Sequence, residues 1–160
     1  MRTFEKGVGM TLRISIVIGK NAVPAELADT PEAKKVWDKL PLESAYSTWG
    51  DEIYFPIPVA LAYRNMVETV SVGDIAYWPP GKAFCIFYGM TVSSRGIVRP
   101  ASAVIPLGRI TGDAAGFRKR PVPRELSVWK KPNRAGWETH GFRWAAQGNG
   151  NERSKAVDGS

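Results

Sequence analysis

Residues 73–89, GDIAYWPPGKAFCIFYG, place two prolines and a glycine in the middle of an otherwise apolar run. Proline fixes φ and cannot extend a central strand, whereas glycine accepts the positive φ that a reversal requires. The Pro79-Pro80-Gly81 break therefore lets two strands, Ile75–Trp78 and Ala83–Tyr88, turn back on each other. The second strand is apolar at every position: Phe84, Ile86 and Tyr88 on one face, Cys85 and Phe87 on the other. An antiparallel strand with one face in water would alternate. This one is expected to be buried on both sides, between a barrel interior and a covering helix or loop.

The flanking sequence extends the β reading. In Thr11–Gly19 the residues Leu12, Ile14, Ile16 and Ile18 share one face and Arg13 and Ser15 the other, the mark of a half-buried strand. After the Gly19-Lys20-Asn21 turn, Val23, Ala25 and Leu27 resume the alternation, and Pro24 predicts an edge position because it has no ladder donor. Thr30 and Pro31 begin a helix as N-cap and first residue; Ala33, Val36, Trp37 and Leu40 form its apolar stripe, and Pro41 stops it. Such a helix is expected to plug or cover an open end of the sheet. Further short β segments are read at 42–49, 53–55, 66–71, 101–105, 108–112 and 124–130, with a helical turn at 113–117. Many short strands at this spacing predict a closed barrel or a sandwich. Residues 1–10 are read as a flexible extension, 11–131 as one β domain, and 132–160 as a largely disordered C-terminal extension, poor in apolar residues at its end.

Composition narrows the function classes. At 160 residues the chain fits one domain with a real core. No apolar run approaches the roughly 18 residues that cross a bilayer, and residues 1–10 lack the apolar stretch of a secretory signal, so no membrane association is expected and the cytoplasm is the default location. The net charge is +7, and +5 of it lies in 118–131, where Arg118, Lys119, Arg120, Arg124, Lys130 and Lys131 face a single acid, Glu125. A polyanion such as nucleic acid would be drawn to such a cluster. No nucleic-acid motif accompanies it, and a solvated basic loop is the preferred reading.

Reactive chemistry finds little support. One histidine, His140, and one cysteine, Cys85, cannot build a zinc site, and no calcium or magnesium loop is present. Cys85, between Phe84 and Ile86, reads as a buried inert thiol, and no nucleophile elbow or phosphate loop appears. No metal and no cofactor is therefore expected. What remains is a set of aromatic and polar residues in the central third. Trp49, Glu52, Tyr54, Trp78, Phe84, Arg99 and Ser102 have the composition of a ligand cleft, with aromatic walls and a few polar anchors. The competing reading makes the same aromatics barrel core and corners.

Three blocks, TWGDEIYFPIPV (48–59), VGDIAYWPPGKAFCIFYG (72–89) and RPASAVIPLGRITG (99–112), resemble a family of small prokaryotic proteins with a cyclophilin-like domain and no assigned biochemical role. The resemblance spans about 12–112, with a weaker match near 125–130. It implies a mainly β fold: a closed, eight-stranded antiparallel barrel with one main amphipathic helix near an open end. Cyclophilins proper are peptidyl-prolyl isomerases that use an arginine in an FHR…F…QGGD segment, and nothing in this chain matches that segment. Arg64 and Arg99 are the arginines that would have to replace it. Fold alone does not carry the activity. Three functions follow in order of preference. The first is a non-catalytic module binding a small molecule or extended peptide in the aromatic cleft. The second is an isomerase with a non-standard active site. The third is an interaction protein, a homodimer or one that meets an acidic partner through its basic segment.

Overall fold

A computed structural model describes residues 12–119 and 121–131. The expectations for 1–10, for 132–160 and for His140 lie outside the described residues. The chain runs β1 (Leu12–Ile18), β2 (Asn21–Leu27), α1 (Pro31–Trp37), β3 (Leu42–Ala45), β4 (Ser47–Thr48), β5 (Glu52–Pro56), β6 (Asp74–Trp78), β7 (Ala83–Phe87), β8 (Ile105–Ile110) and β9 (Glu125–Lys130). All pairings between these strands are antiparallel, in the order β3-β9-β1-β2-β8-β6-β7-β5-β4.

The two ends of that order are halves of one segment. β3 pairs with β9 through Leu42↔Val128, β4 pairs with β5 through Thr48↔Ile53, and only Tyr46 separates them. The Tyr46 N–H donates to the Arg124 carbonyl at 3.0 Å, so the break falls where the chain leaves one neighbour for the other. The sheet thus returns on itself as a nearly closed barrel. Nine short strands stand where eight are expected, because the single strand read at 42–49 is cut in two at this handover.

The interior follows from alternation. Ile14, Ile16 and Ile18 of β1, Ile53 and Phe55 of β5, Ile75 and Tyr77 of β6, and Phe84 and Ile86 of β7 join one buried cluster with Ala33 and Val36 of α1. Thr30 caps α1 as expected, its Oγ1 accepting the Ala33 N–H at 3.1 Å. The helix ends at Trp37, ahead of Pro41, and packs against β2 and β8.

Three local expectations change. β2 is not an edge strand; it lies between β1 and β8. Pro24 is tolerated because its carbonyl faces the β8 side, where it accepts the Thr111 N–H at 3.0 Å, just past the end of β8. A strand residue's nitrogen and carbonyl point the same way, so the missing donor falls where the ladder has ended. Residues 66–71 form no full strand, only the isolated bridges Val67↔Val104 and Val70↔Val98, and of 101–105 only Ile105 is in a strand, as the start of β8. And the Pro79–Gly81 reversal is one 3-10 turn whose positive φ is taken by Lys82 (48°), not by the glycine.

Candidate functional site

The same alternation that fills the barrel builds a second, outer face on β5, β7 and β6. Across these strands Tyr54 opposes Cys85, Ala76 opposes Cys85 from the other side, Trp78 opposes Ala83, and Glu52 opposes Phe87. Cross-strand partners share a face. Ala76, Ala83, Cys85 and Phe87 form a separate buried cluster with Val98 and Val104, and Tyr54, Trp78, Val67 and Val70 pack partly buried against it. The cover is a roof of two excursions, residues 58–72 and 90–104, held together by the two isolated bridges. β7 is therefore buried on both sides, as its unbroken apolar run requires, and a loop rather than the helix covers it.

The roof is tied at both ends. The Tyr77 hydroxyl, inside the barrel, donates to the Val59 carbonyl at 2.6 Å. In the second excursion, the Ser94 hydroxyl accepts the Thr91 N–H at 2.9 Å and the Arg99 N–H at 3.1 Å, and the Thr91 hydroxyl donates to the Arg99 carbonyl.

The seven residues singled out by sequence do not all meet. Glu52, Tyr54 and Trp78 share the outer face. Ser102, from the roof, joins Trp78 directly: the indole Nε1–H donates to its Oγ at 2.8 Å. Trp49 closes the tight hairpin opposite Glu52, exchanging backbone hydrogen bonds of 2.9 and 3.2 Å with it, so the two are cross-strand neighbours. Gly50 turns that hairpin with φ of +63°. Phe84 faces the opposite way, fully buried in the barrel with its ring 5.1 Å from that of Phe55. Arg99 is an exposed roof residue whose backbone makes the contacts just described; Arg64 is exposed on the roof's first excursion.

Gly81 supports Trp78. A Cβ at Gly81 would come within 2.9 Å of the Trp78 ring, so the indole lies directly against the glycine backbone. Gly81→Ala is expected to displace the ring and to lower stability by about 1–2 kcal/mol, in the range of mild overpacking. A urea unfolding midpoint unchanged from the parent would show that the ring does not rest there.

Electrostatics set Glu52 apart. It is 6% exposed, one of three buried polar or charged residues among those described. Burial pushes its carboxyl up from 4.5 to about 7, and a hydrogen bond with the Cys85 thiol restrains the rise. The Cys85 thiol is itself raised well above its ordinary value, first by burial and then by the adjacent Glu52. Thiol nucleophilicity depends on the thiolate, so this cysteine is held inert. Sequence reasoning named both residues but not their contact. The Tyr54↔Cys85 register, which brings them side by side, joins segments some thirty residues apart.

One contact escapes local patterning altogether. Arg118, in the basic segment, donates from Nη1 to Asp51 Oδ2 at 3.0 Å and from Nη2 to the Tyr88 carbonyl at 3.2 Å, with its guanidinium 5.1 Å from the centre of the Tyr88 ring. Lys130 Nζ likewise stands 5.1 Å from the centre of the Trp37 ring. Part of the basic cluster is thus engaged within the fold. Elsewhere, a shallow concavity of about 490 Å³ opens between the end of β1, β3 and β9, rimmed by Glu43 and Glu125, and none of the seven candidates lines it. Among the described residues no group of three or more His, Cys, Asp and Glu could hold a metal ion, and no helix is long and apolar enough to cross a membrane.

Comparison with known proteins agrees with this architecture. The solution structure of the hypothetical protein AF2241 from Archaeoglobus fulgidus is 36% identical, with a TM-score of 0.65, covering 79% of this chain and 99% of its own. A structure of McbB in complex with tryptophan shares the fold at 15% identity and a TM-score of 0.55, over 75% of this chain and 45% of McbB. None of the curated proteins compared matches. The cyclophilin-like family pattern matches residues 12–128, which takes in every strand from β1 into β9 together with the outer face and its roof, and the chain belongs to the cyclophilin-like family.

Proposed function

We propose that this chain is a binding module that holds a small molecule or an extended peptide on the outer face of β5, β7 and β6, beneath the edge of the roof. One observation carries the reading: a nearly buried carboxyl, Glu52, sits on the same apolar face as two half-buried aromatics, Tyr54 and Trp78. Packing alone favours a hydrophobe at such a position, because a buried polar group costs stability unless it is well partnered. Aromatic walls with a few placed polar groups are the usual make-up of a ligand site. Trp78 is further oriented by Ser102 and Gly81. McbB, which shares the fold over 45% of its own length, was solved in complex with tryptophan.

A thermal-shift screen of metabolite-sized compounds and short extended peptides tests the reading. A ligand that binds only the folded state raises the melting temperature, by about 2.7 kcal/mol of added stability at one hundred times Kd. Trp78→Ala, checked by circular dichroism for an intact fold, is expected to remove the shift. A shift that survives this substitution at full size would move the site off the outer face. A proline-peptide isomerisation assay on the same samples reads out the catalytic alternative.

A further inference from the structure

The outer face has a donor shortage. Glu52 brings two carboxyl oxygens to a surface where, among the described residues, its side-chain partner is the Cys85 thiol, a weak donor that also lies 3.8 Å from the Ala83 carbonyl. Of the donors on the neighbouring aromatics, the Trp78 N–H is committed to Ser102, and among the described residues neither the Tyr54 hydroxyl nor the Trp49 N–H donates to Glu52. Backbone donors of β5 and β7 are spent on the ladder. Among the described residues no arginine or lysine is paired with the group: the charged roof residues Arg64, Glu68, Arg95 and Arg99 are all exposed. A carboxyl kept in an apolar setting without a cation of its own is a receptor for one brought by a ligand.

We propose that the outer face selects ligands carrying a protonated amine on a flat apolar body, with Glu52 accepting from the ammonium and Tyr54 and Trp78 contacting the body. The inference rests on the binding reading above and adds the ligand class. Charge-assisted hydrogen bonds are the strong ones, and they strengthen further where water is thin.

Proton accounting follows from the groups facing Glu52. From β7 the facing titratable group is Cys85, from β5 it is Tyr54, and from β6 it is Asp74, on the same face beyond Phe87 with its carboxylate accepting the Ser71 N–H; the roof adds the exposed Arg64, Glu68, Arg95 and Arg99, and β4 (Ser47–Thr48) supplies none. Cys85 is held neutral, so Glu52 is the group that changes charge near neutrality. An amine already protonated in water binds the carboxylate, and binding below pH 7 must release the Glu52 proton. Affinity should therefore rise as pH goes from 5.5 to 8.

The test uses tryptamine, its neutral isostere tryptophol, and the acid indole-3-propionate, titrated calorimetrically onto the whole chain at pH 5.5 and 8 in two buffers of different ionisation enthalpy. Tryptamine is expected to bind at least tenfold tighter than tryptophol at pH 8, and to release a proton at pH 5.5; the acid is expected not to bind. Glu52→Gln should remove the tenfold preference and the proton release. Equal affinity for amine and alcohol, unchanged in Glu52→Gln, would overturn the amine selectivity and leave the binding face standing. Binding of the acid in preference to the amine would overturn it too. No binding of any of the three probes would also overturn it, and the broader reading would then be judged by the unbiased screen alone.

Discussion

Phe84→Ala is expected to be among the most damaging single substitutions in the barrel, lowering stability by about 3–5 kcal/mol, the range for truncating a buried phenylalanine. The side chain has no exposed surface, stacks on Phe55 at 5.1 Å and belongs to the interior cluster that also holds Tyr77 and Phe117. Its removal leaves a hole bounded by rigid strands on both sides, β5 and β6, which limits collapse into it. For a barrel of this size the melting temperature should drop on the order of 10–20 °C. The same experiment bears on function. If Phe84 acts only from inside, a ligand of the outer face should bind the folded variant with its ordinary affinity at low temperature. A Tm within a few degrees of the parent would mean that Phe84 does not occupy the interior. A large loss of affinity without loss of fold would restore it to the site.

The case of Phe84 shows where sequence alone stops. Alternation predicted β1 because Arg13 and Ser15 mark one of its faces as polar. In Ala83–Tyr88 both faces are apolar, so parity reveals that two surfaces are covered and not which of them is the interior. The register decides it. Once Tyr54 is opposite Cys85, the Phe84 set points inward and the Cys85 set outward. Register between β5 and β7 depends on the long 58–72 excursion, which has no local signature. That the chain is mainly β, a barrel or a sandwich with one main helix, was legible from strand spacing, the Thr30-Pro31 start of the helix and the Pro79-Gly81 reversal, all local signals; the choice of a closed barrel came with the family resemblance. Barrel closure through Tyr46 was hidden because a strand that changes partners keeps its alternation. The Trp78–Ser102 bond and the Arg118–Asp51 pair link residues 24 and 67 positions apart, and charge patterning carries no information at that range.

The second large effect belongs to Glu52, and its sign can be worked out. In the unfolded chain this carboxyl titrates near 4.5; in the fold it titrates near 7. Between those values the folded protein holds a proton that the unfolded chain has lost, so stability declines as pH rises through that window. Below about pH 4.5 both states are protonated and the group is neutral to stability. Above about pH 7.5 the penalty is complete, at roughly 3 kcal/mol for a displacement of this size. Glu52→Gln keeps the shape and removes the titration. It is expected to match the parent within about 1 kcal/mol at pH 4.5, the margin of one hydrogen bond, and to exceed it by about 2–3 kcal/mol at pH 8. Urea unfolding at pH 4.5, 6 and 8 reads both curves, and parallel curves would show that Glu52 is not the buried acid described. The direction matters for function. A residue whose neutral isostere makes a more stable protein at neutral pH, and which holds a charge there only at the cost of burial, has the profile of a site kept for binding rather than for folding. The same substitution should therefore separate the two properties, gaining stability while losing the preference for an amine.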